Sequence, residues 1–160
     1  MPVDVPQKPV CVICECIAGG VGEVIIEESE LTLTILTDRQ FEVGQAIVVT
    51  RRHAPTFLEL TDEESMAVMQ AARRLAKGLV AAFDPPALTI FQNNGVLSGQ
   101  STPHFHLHLV PRRPDSNWGL GPPPLAKLEE ILRQPMPVVP PFEERNKTGD
   151  LIRRNLRDLQ

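Results

Sequence analysis

The sequence predicts an α+β domain in which one long helix packs on a five-stranded antiparallel sheet. Three observations support this prediction. The apolar, β-branched segments are short and are separated by turn residues. One long segment between the third and fourth strands has helical periodicity. The strands follow one another through short loops, which favours antiparallel pairing. The strands are predicted at 22–28, 31–36, 45–50, 87–92 and 104–110.

The long helix is predicted from Thr61 to Phe83. Thr61 with Glu64 three residues later forms a capping box, and the acidic residues between them suit the first turn. Asp84-Pro85-Pro86 ends the helix. Apolar residues recur at helical spacing and define the expected core face, with both methionines filling the core: Met66, Met69, Ala72, Ala76, Leu79 and Phe83.

The ends of the chain differ in composition from its middle. Residues 1–10 contain three prolines and are predicted to be a leader. Residues 114–160 are predicted to be a Pro-rich C-terminal extension with short helices. Within it, 125–134 is a candidate short helix, 135–141 is expected to be extended, and a helix capped by Thr148 is expected over 148–159.

Composition excludes several classes of protein. The net charge is −4 and the pI about 5.6, so a general nucleic-acid binder is not indicated. No apolar run approaches the ~20 residues of a membrane helix, and the first residues lack the features of a signal peptide. Three cysteines, an odd number, argue against a disulfide framework. We therefore expect a cytoplasmic protein that does not interact with membranes.

Three of the four histidines stand in one predicted strand, at 104, 106 and 108. Alternate side chains of a strand share a face, so the three imidazoles are expected in one row, with Phe105, Leu107 and Leu109 facing the core. Pro111 is expected to end this strand. Such a row can bind a metal or handle phosphate, because a neutral imidazole is a nucleophile near neutral pH.

Cys11-Val12-Ile13-Cys14 is compatible with a redox pair, a metal site or two buried thiols. A redox pair of the thioredoxin type is disfavoured, because Gly19 and Gly20 interrupt the pattern that a βαβ unit needs. A metal site requires two more ligands, which His53 and His104 supply if the fold brings them together. Cys16 is predicted to be a small core residue, and the arginines before His53 to be solvated charges at a strand end.

The segment from His104 to Val110 resembles, at every position, the alternating signature of the histidine triad (HIT) family, and the preceding Gly99-Gln100-Ser101 also looks like that family. The likeness runs from Cys11 to about Arg113 and implies a HIT domain over 11–113 with a HIT-like fold. It also implies nucleotide chemistry, a homodimer, and a zinc ion held by the Cys-x-x-Cys pair, His53 and His104. That zinc would be structural, and no catalytic cofactor is implied.

The resemblance also implies roles for individual residues. His106 would attack the α-phosphorus of a nucleoside phosphoramidate or dinucleoside polyphosphate and form a nucleotidyl-histidine. His108 would hold the phosphate and assist the leaving group. Ser101 completes the expected catalytic set, and the expected substrate-binding residues are Asn93, Gly99, Gln100 and Asp38.

The sequence departs from the family at two positions. An aspartate that grips the ribose in relatives falls at Thr37 here, with Asp38 one residue later, and a histidine entering the third strand is replaced by Gln45. Whether Asp38 reaches the ribose is open. The altered ribose loop leaves open a non-catalytic, zinc-stapled domain that senses nucleotides or binds a partner through its Pro-rich tail. A third function, known in the family that this sequence resembles, is DNA-end processing. The acidic balance argues against this third function.

Overall fold

A computed structural model describes residues 3–19, 22–40, 42–114 and 139–158. It confirms the predicted α+β class with a five-stranded antiparallel sheet. The strands are β1 (Val24–Glu28), β2 (Thr32–Leu36), β3 (Ala46–Thr50), β4 (Ala87–Phe91) and β5 (His106–Arg112), and the helices are α1 (Val12–Ile17), α2 (Asp62–Phe83) and α3 (Phe142–Arg157).

The strand order across the sheet is β1-β2-β3-β5-β4, so β5 lies between β3 and β4 while β4 is an edge. The pairing register places Ile35, Ile47 and His108 in one cross-strand row. The next row, Leu36, Ala46 and Leu109, faces the opposite side of the sheet. One side therefore carries the histidines, and the other side receives α2.

The main core lies between the sheet and α2. The capping box at Thr61 and Glu64 is present, as predicted. The apolar stripe that contacts the sheet is formed by Val68, Ala71, Ala72, Leu75 and Leu79. The prediction that Met66 and Met69 fill the core is wrong, because they are 60% and 58% exposed and belong to a different stripe of the helix.

Strand β5 starts and ends later than expected. His104 precedes the strand, and the strand runs through Pro111, which pairs with Leu88 of β4. The prediction that Pro111 ends the strand is therefore wrong. The β3 pairing stops at Leu109, so beyond that residue one side of β5 is open, and a proline nitrogen on the open side forfeits no ladder hydrogen bond.

The C-terminal helix α3 begins at Phe142, six residues before the expected cap at Thr148. It packs on α2 and β1, with Ile152 fully buried. Two glycines permit the close approach: a Cβ on Gly78 would lie 2.7 Å from Leu156 Cδ2, and one on Gly149 would collide with Val24 Cγ1. The candidate helix at 125–134 and most of the expected extended stretch lie outside the described residues.

Val3 and Asp4 of the N-terminal segment contact the loop at Gly95 and Val96. The backbone N–H of Val96 donates to the carbonyl of Asp4 at 2.8 Å, and a Cβ on Gly95 would lie 2.5 Å from Val3 Cγ1. Among the described residues, no helix is both long and apolar enough to cross a lipid bilayer.

Candidate functional site

His106 and His108 share one face of β5, while His104 occupies a different environment. His104 lies before the strand and is fully buried, whereas the other two rings are half-buried. Phe105, at 1% exposure, packs in the core as expected. The expected row of three equivalent imidazoles is therefore divided into a pair on the strand and one interior ring.

The ring of His106 is oriented by the backbone of His104. Its Nδ1 lies 2.7 Å from the His104 carbonyl oxygen, so Nδ1–H donates there and Nε2 keeps its lone pair. Burial lowers the pKa of His106, and the hydrogen bond to His104 opposes this only in part. The result is a neutral imidazole with a defined tautomer, which is the nucleophilic form.

His108 is held between an aromatic ring and an amide. It stacks on Phe91 with ring centroids 4.4 Å apart, and its Nδ1 lies 3.4 Å from Nε2 of Gln45. Because that amide nitrogen can only donate, Nδ1 of His108 is the acceptor and Nε2 carries the proton. Burial, with a smaller effect of His106, lowers the pKa of His108 to about 3, so the free protein presents a neutral N–H donor here.

Gln100 stabilises the loop that precedes the triad. Its side-chain nitrogen donates to the carbonyls of Pro55 at 2.7 Å and Thr102 at 2.9 Å. Its oxygen accepts from the Gly95 N–H at 2.7 Å. Both amide donors are thus used within the protein, so in this conformation Gln100 has none left for a phosphoryl oxygen. These hydrogen bonds give Gln100 a loop-holding role, and its direct contact with phosphate stays a prediction.

The other residues of this loop leave polar groups available. Ser101 is exposed, and its hydroxyl makes no hydrogen bond to the described residues. A Cβ on Gly99 would lie 3.5 Å from Nδ2 of Asn93, so the half-buried Asn93 amide lies next to the Gly99 backbone. Gly99 also has φ 88°, a conformation that side chains rarely adopt.

An apolar surface adjoins His108 on the same side of the sheet. Helix α1 covers it and contributes Ile13 and Ile17, and the half-buried Ile25 and Ile47 lie beside them. The sequence analysis missed α1, although Ile13, Cys16 and Ile17 have helical spacing, because the run is only six residues long. Cys16 is 4% exposed, as expected of a core residue.

The loop after β2 brings Thr37 beside Gln45. The Thr37 hydroxyl donates to the Gln45 carbonyl at 3.0 Å. Asp38 accepts the N–H of Arg39 on Oδ1 at 2.7 Å, and its charge helps to raise the pKa of Glu23, after the larger effect of burial. One carboxylate oxygen of Asp38 is therefore engaged in its own turn.

The four expected metal ligands come together. The ligand atoms of Cys11, Cys14, His53 and His104 all lie within 4.8 Å of one another. Nδ1 of His104 is 3.5 Å from each cysteine sulfur, and Nδ1 of His53 is 3.2 Å from the Cys14 sulfur. Tetrahedral zinc with bonds of about 2.3 Å to sulfur and about 2.1 Å to nitrogen puts such atoms about 3.6 Å apart. The cluster fits zinc and could hold it.

The protonation of His104 also suits a metal ligand. Its Nε2 lies 2.8 Å from the Thr50 carbonyl, so Nε2–H donates there and Nδ1 keeps a lone pair directed at the cluster. Burial lowers the pKa of His104 to about 4. Burial raises the pKa of the Cys14 thiol to about 11, and Cys11 adds to the rise. Metal binding there must therefore displace a thiol proton.

The arginines before His53 are ion-paired rather than simply solvated. Arg51 donates to Glu28 at 2.6 Å. Arg52 donates two hydrogen bonds to Glu64, at 2.8 and 2.6 Å, on a carboxylate that is 6% exposed. The segment that carries His53 is thereby tied to the first turn of α2.

Comparison with known proteins agrees with this geometry. The HIT domain family matches residues 20–115, more than half of the 160-residue chain. The chain belongs to the HIT family. This HIT protein is 30% identical over 111 residues to an adenosine 5′-monophosphoramidase of Schizosaccharomyces pombe. The alignment covers 69% of this chain and 80% of the relative. A bis(5′-nucleosyl)-tetraphosphatase of the same yeast is 26% identical over 93 residues, or 58% of this chain and 51% of the relative.

A solved structure extends the comparison beyond the matched domain. A Zn-bound histidine triad family protein from Mycobacterium smegmatis superimposes on this HIT protein with a TM-score of 0.73 at 25% identity. The alignment covers 93% of this chain and 94% of that protein. The similarity therefore reaches past residue 115 and includes part of the C-terminal extension.

Proposed function

We propose that this HIT protein is a nucleotide hydrolase or transferase that cleaves nucleoside phosphoramidates or dinucleoside polyphosphates at the α-phosphate. The observation that carries the proposal is the 2.7 Å contact between His106 Nδ1 and the His104 carbonyl. It leaves Nε2 of His106 with an available lone pair on a rigid strand. The relatives named as a monophosphoramidase and a tetraphosphatase support this substrate class.

The reaction proceeds in two displacements. Nε2 of His106 attacks the α-phosphorus, the bond from phosphorus to the leaving group breaks, and a nucleotidyl-histidine forms. The leaving group takes a proton from solvent water, relayed by the hydroxyl of Ser101, while the Nε2–H of neutral His108 donates a hydrogen bond to it and keeps its own proton. Water, or another acceptor in a transferase, then attacks the same phosphorus and releases the nucleotide from His106.

The surrounding groups bind the substrate. The amide of Asn93 and the backbone at Gly99 contact phosphate or ribose, and the half-buried Ile25 and Ile47 beside α1 receive the base. Gln100 keeps the loop in place. Asp38 remains a candidate for the ribose hydroxyls through its second oxygen. Hydrogen-bond donors directed at phosphoryl oxygens supply most of the stabilisation in such transfers.

The first test replaces the nucleophile. His106→Asn should abolish hydrolysis of an adenosine phosphoramidate and leave AMP binding nearly unchanged by calorimetry. Leu97→Ala, at a fully exposed position in the loop between β4 and β5, is the control and should retain wild-type turnover. Wild-type protein quenched during turnover should carry the mass of one nucleotidyl group on His106.

The opposite results have clear meanings. Turnover by His106→Asn, or a nucleotidyl group on another residue, would contradict the mechanism. Nucleotide binding by the wild type without any turnover would favour the non-catalytic sensor or partner-binding protein instead.

The zinc, in this proposal, is structural, because all four ligands come from the protein and no position is left for substrate. The domain limits of 11–113, the leader and the extension remain predictions. We propose a cytoplasmic location, which suits a protein whose Cys11, Cys14 and Cys16 form no disulfide.

The partner is proposed to be a second copy of the chain. Strand β4 is an unpaired sheet edge, and Ile90 on it is 49% exposed on the α2 side of the sheet. On α2, the exposed Met66, Met69 and Val80 form a stripe directed away from the core. An exposed apolar helix stripe and an open strand edge are each typical of an interface between subunits.

A further inference from the structure

One residue connects the candidate metal cluster to the nucleophile. The ring of His104 reaches the cluster, with Nδ1 3.5 Å from the sulfurs of Cys11 and Cys14. The backbone carbonyl of the same residue accepts the Nδ1–H of His106 at 2.7 Å. Whatever fixes the His104 ring therefore acts on the group that orients the reacting imidazole.

The sheet does not fix this carbonyl. The β3–β5 ladder begins with the pair Val49 and His106, so His104 lies before the first ladder pair. Its ring is held by the Thr50 carbonyl, 2.8 Å from Nε2. The next residue, Phe105, donates its N–H to the carbonyl of Ala54 at 2.6 Å. Residues 50–54 thus surround His104, and they also carry His53.

The cluster draws together three separate segments. Cys11 and Cys14 come from the start of α1, His53 follows β3, and His104 precedes β5. Without a metal, Nδ1 of His104 faces two thiols, which are weak hydrogen-bond donors. With four metal–ligand bonds, the ring, the chain around it and its carbonyl become one rigid unit.

We propose that zinc in the cluster sets the orientation of His106, with His104 acting as the positioning residue between them. The kinetic part of this inference rests on the proposed function, whereas the structural part does not. A displacement of about 1 Å at a reacting group can cost about 100-fold in rate. Emptying the cluster should therefore lower kcat at least about tenfold, while KM changes less, because neither Asn93 nor Ser101 is among the cluster ligands.

The test reads the hydrogen bond directly. In wild-type protein with ¹⁵N-labelled histidine and bound zinc, the Nδ1–H of His106 should give an exchange-protected proton signal. Chelation of the zinc should weaken or remove that signal and lower kcat, and added zinc should restore both. The signal is assigned by its absence in His106→Asn.

Three variants sharpen the comparison. Cys14→Ser removes a ligand and should behave like the chelated protein. His53→Cys keeps four ligands of a type that zinc accepts, so it should retain the signal. Cys16→Ser changes a buried cysteine outside the cluster and should also retain it. Chelated wild type supplies the zinc-free state if Cys14→Ser does not fold.

Two results would overturn the proposal. One is a zinc-free protein in which the His106 signal and kcat match the zinc-bound form. The other is loss of the signal together with the amide resonances of β1 and β2, because the metal would then hold the whole fold and not His106 in particular. If no turnover is found at all, the proposed function fails, while the NMR comparison still decides the coupling.

Discussion

His108 depends on Gln45 for its tautomer. Gln45 is almost fully buried, at 1% exposure, and its amide nitrogen lies 3.4 Å from Nδ1 of His108. A glutamine amide does not titrate, so this donor is present at every pH at which the protein is folded. A histidine at this position would instead change its charge, and the donor or acceptor role of one ring nitrogen, with pH.

Replacing Gln45 by methionine, which has a similar volume, should lower kcat about fivefold, the effect of losing one hydrogen bond of about 1 kcal/mol. KM should change little, since Gln45 acts through His108. Steady-state kinetics with an adenosine phosphoramidate measures both constants. Gln45→His should restore most of the rate, and a Gln45→Met protein with wild-type kcat would contradict the assignment.

For single residues, the sequence predicted which side chains form the site better than it predicted their burial and hydrogen bonds. The ligand set of Cys11, Cys14, His53 and His104 was predicted, because cysteine and histidine have few other reasons to occur in this pattern. The burial of His104 and the inward hydrogen bonds of Gln100 were not predicted, since both depend on carbonyls from residues about 45 to 55 positions away in the chain.

The limits of helix α2 were predicted correctly, because several sequence features near its ends indicate the same positions. A capping box, acidic residues in the first turn and a proline pair after the end all indicate the same limits, and the structure has them within a residue. The choice of buried face failed because Met66 and Met69 suit a core as well as Val68 and Leu75 do. Only the position of the sheet decides between the two stripes.

The Glu64 carboxylate links α2 to the segment that carries His53. Its hydrogen bonds with Arg52 hold the pKa of Glu64 below its usual range, although burial opposes them. The ion pair therefore stabilises the fold above the pKa of the unfolded chain, about 4.3. That stability is lost as the pH falls through the lower pKa of the folded state.

Glu64→Gln should lower the free energy of unfolding at pH 7, and the difference from wild type should shrink below about pH 4. Glutamine still serves the capping box, so the variant isolates the charge. Urea unfolding across this pH range provides the measurement. Glu63→Gln, at an exposed neighbour, is the control, and parallel pH curves for wild type and Glu64→Gln would count against the assigned role.

For two other elements, the observed limits differ from the predicted ones for the same physical reason. Strand β5 continues through Pro111 because β3 has already ended on that side. Helix α3 starts before Thr148, and its additional turn is held by the ion pair between Arg145 and Glu23, 3.6 Å apart, next to β1. The end of β5 and the start of α3 both depend on segments that are distant in sequence, so local propensity does not predict them.

For the whole molecule, the exposed apolar stripe of α2 and the edge of β4 predict association. A charge introduced into this surface should weaken it, so Met69→Arg with Ile90→Arg should shift a dimer toward monomer in light scattering coupled to size exclusion. Val10→Arg, at an exposed apolar residue outside the stripe, should have no effect. A wild-type protein that is monomeric at high micromolar concentration would exclude the proposed homodimer.

The packing of α3 on β1 also has a consequence for folding during synthesis. Val24, near the start of the chain, is covered by a helix that begins at residue 142. During synthesis the outer strand β1 stays bare until residues 142–157 have left the ribosome. A nascent chain stalled before α3 should therefore offer that bare strand to chaperones.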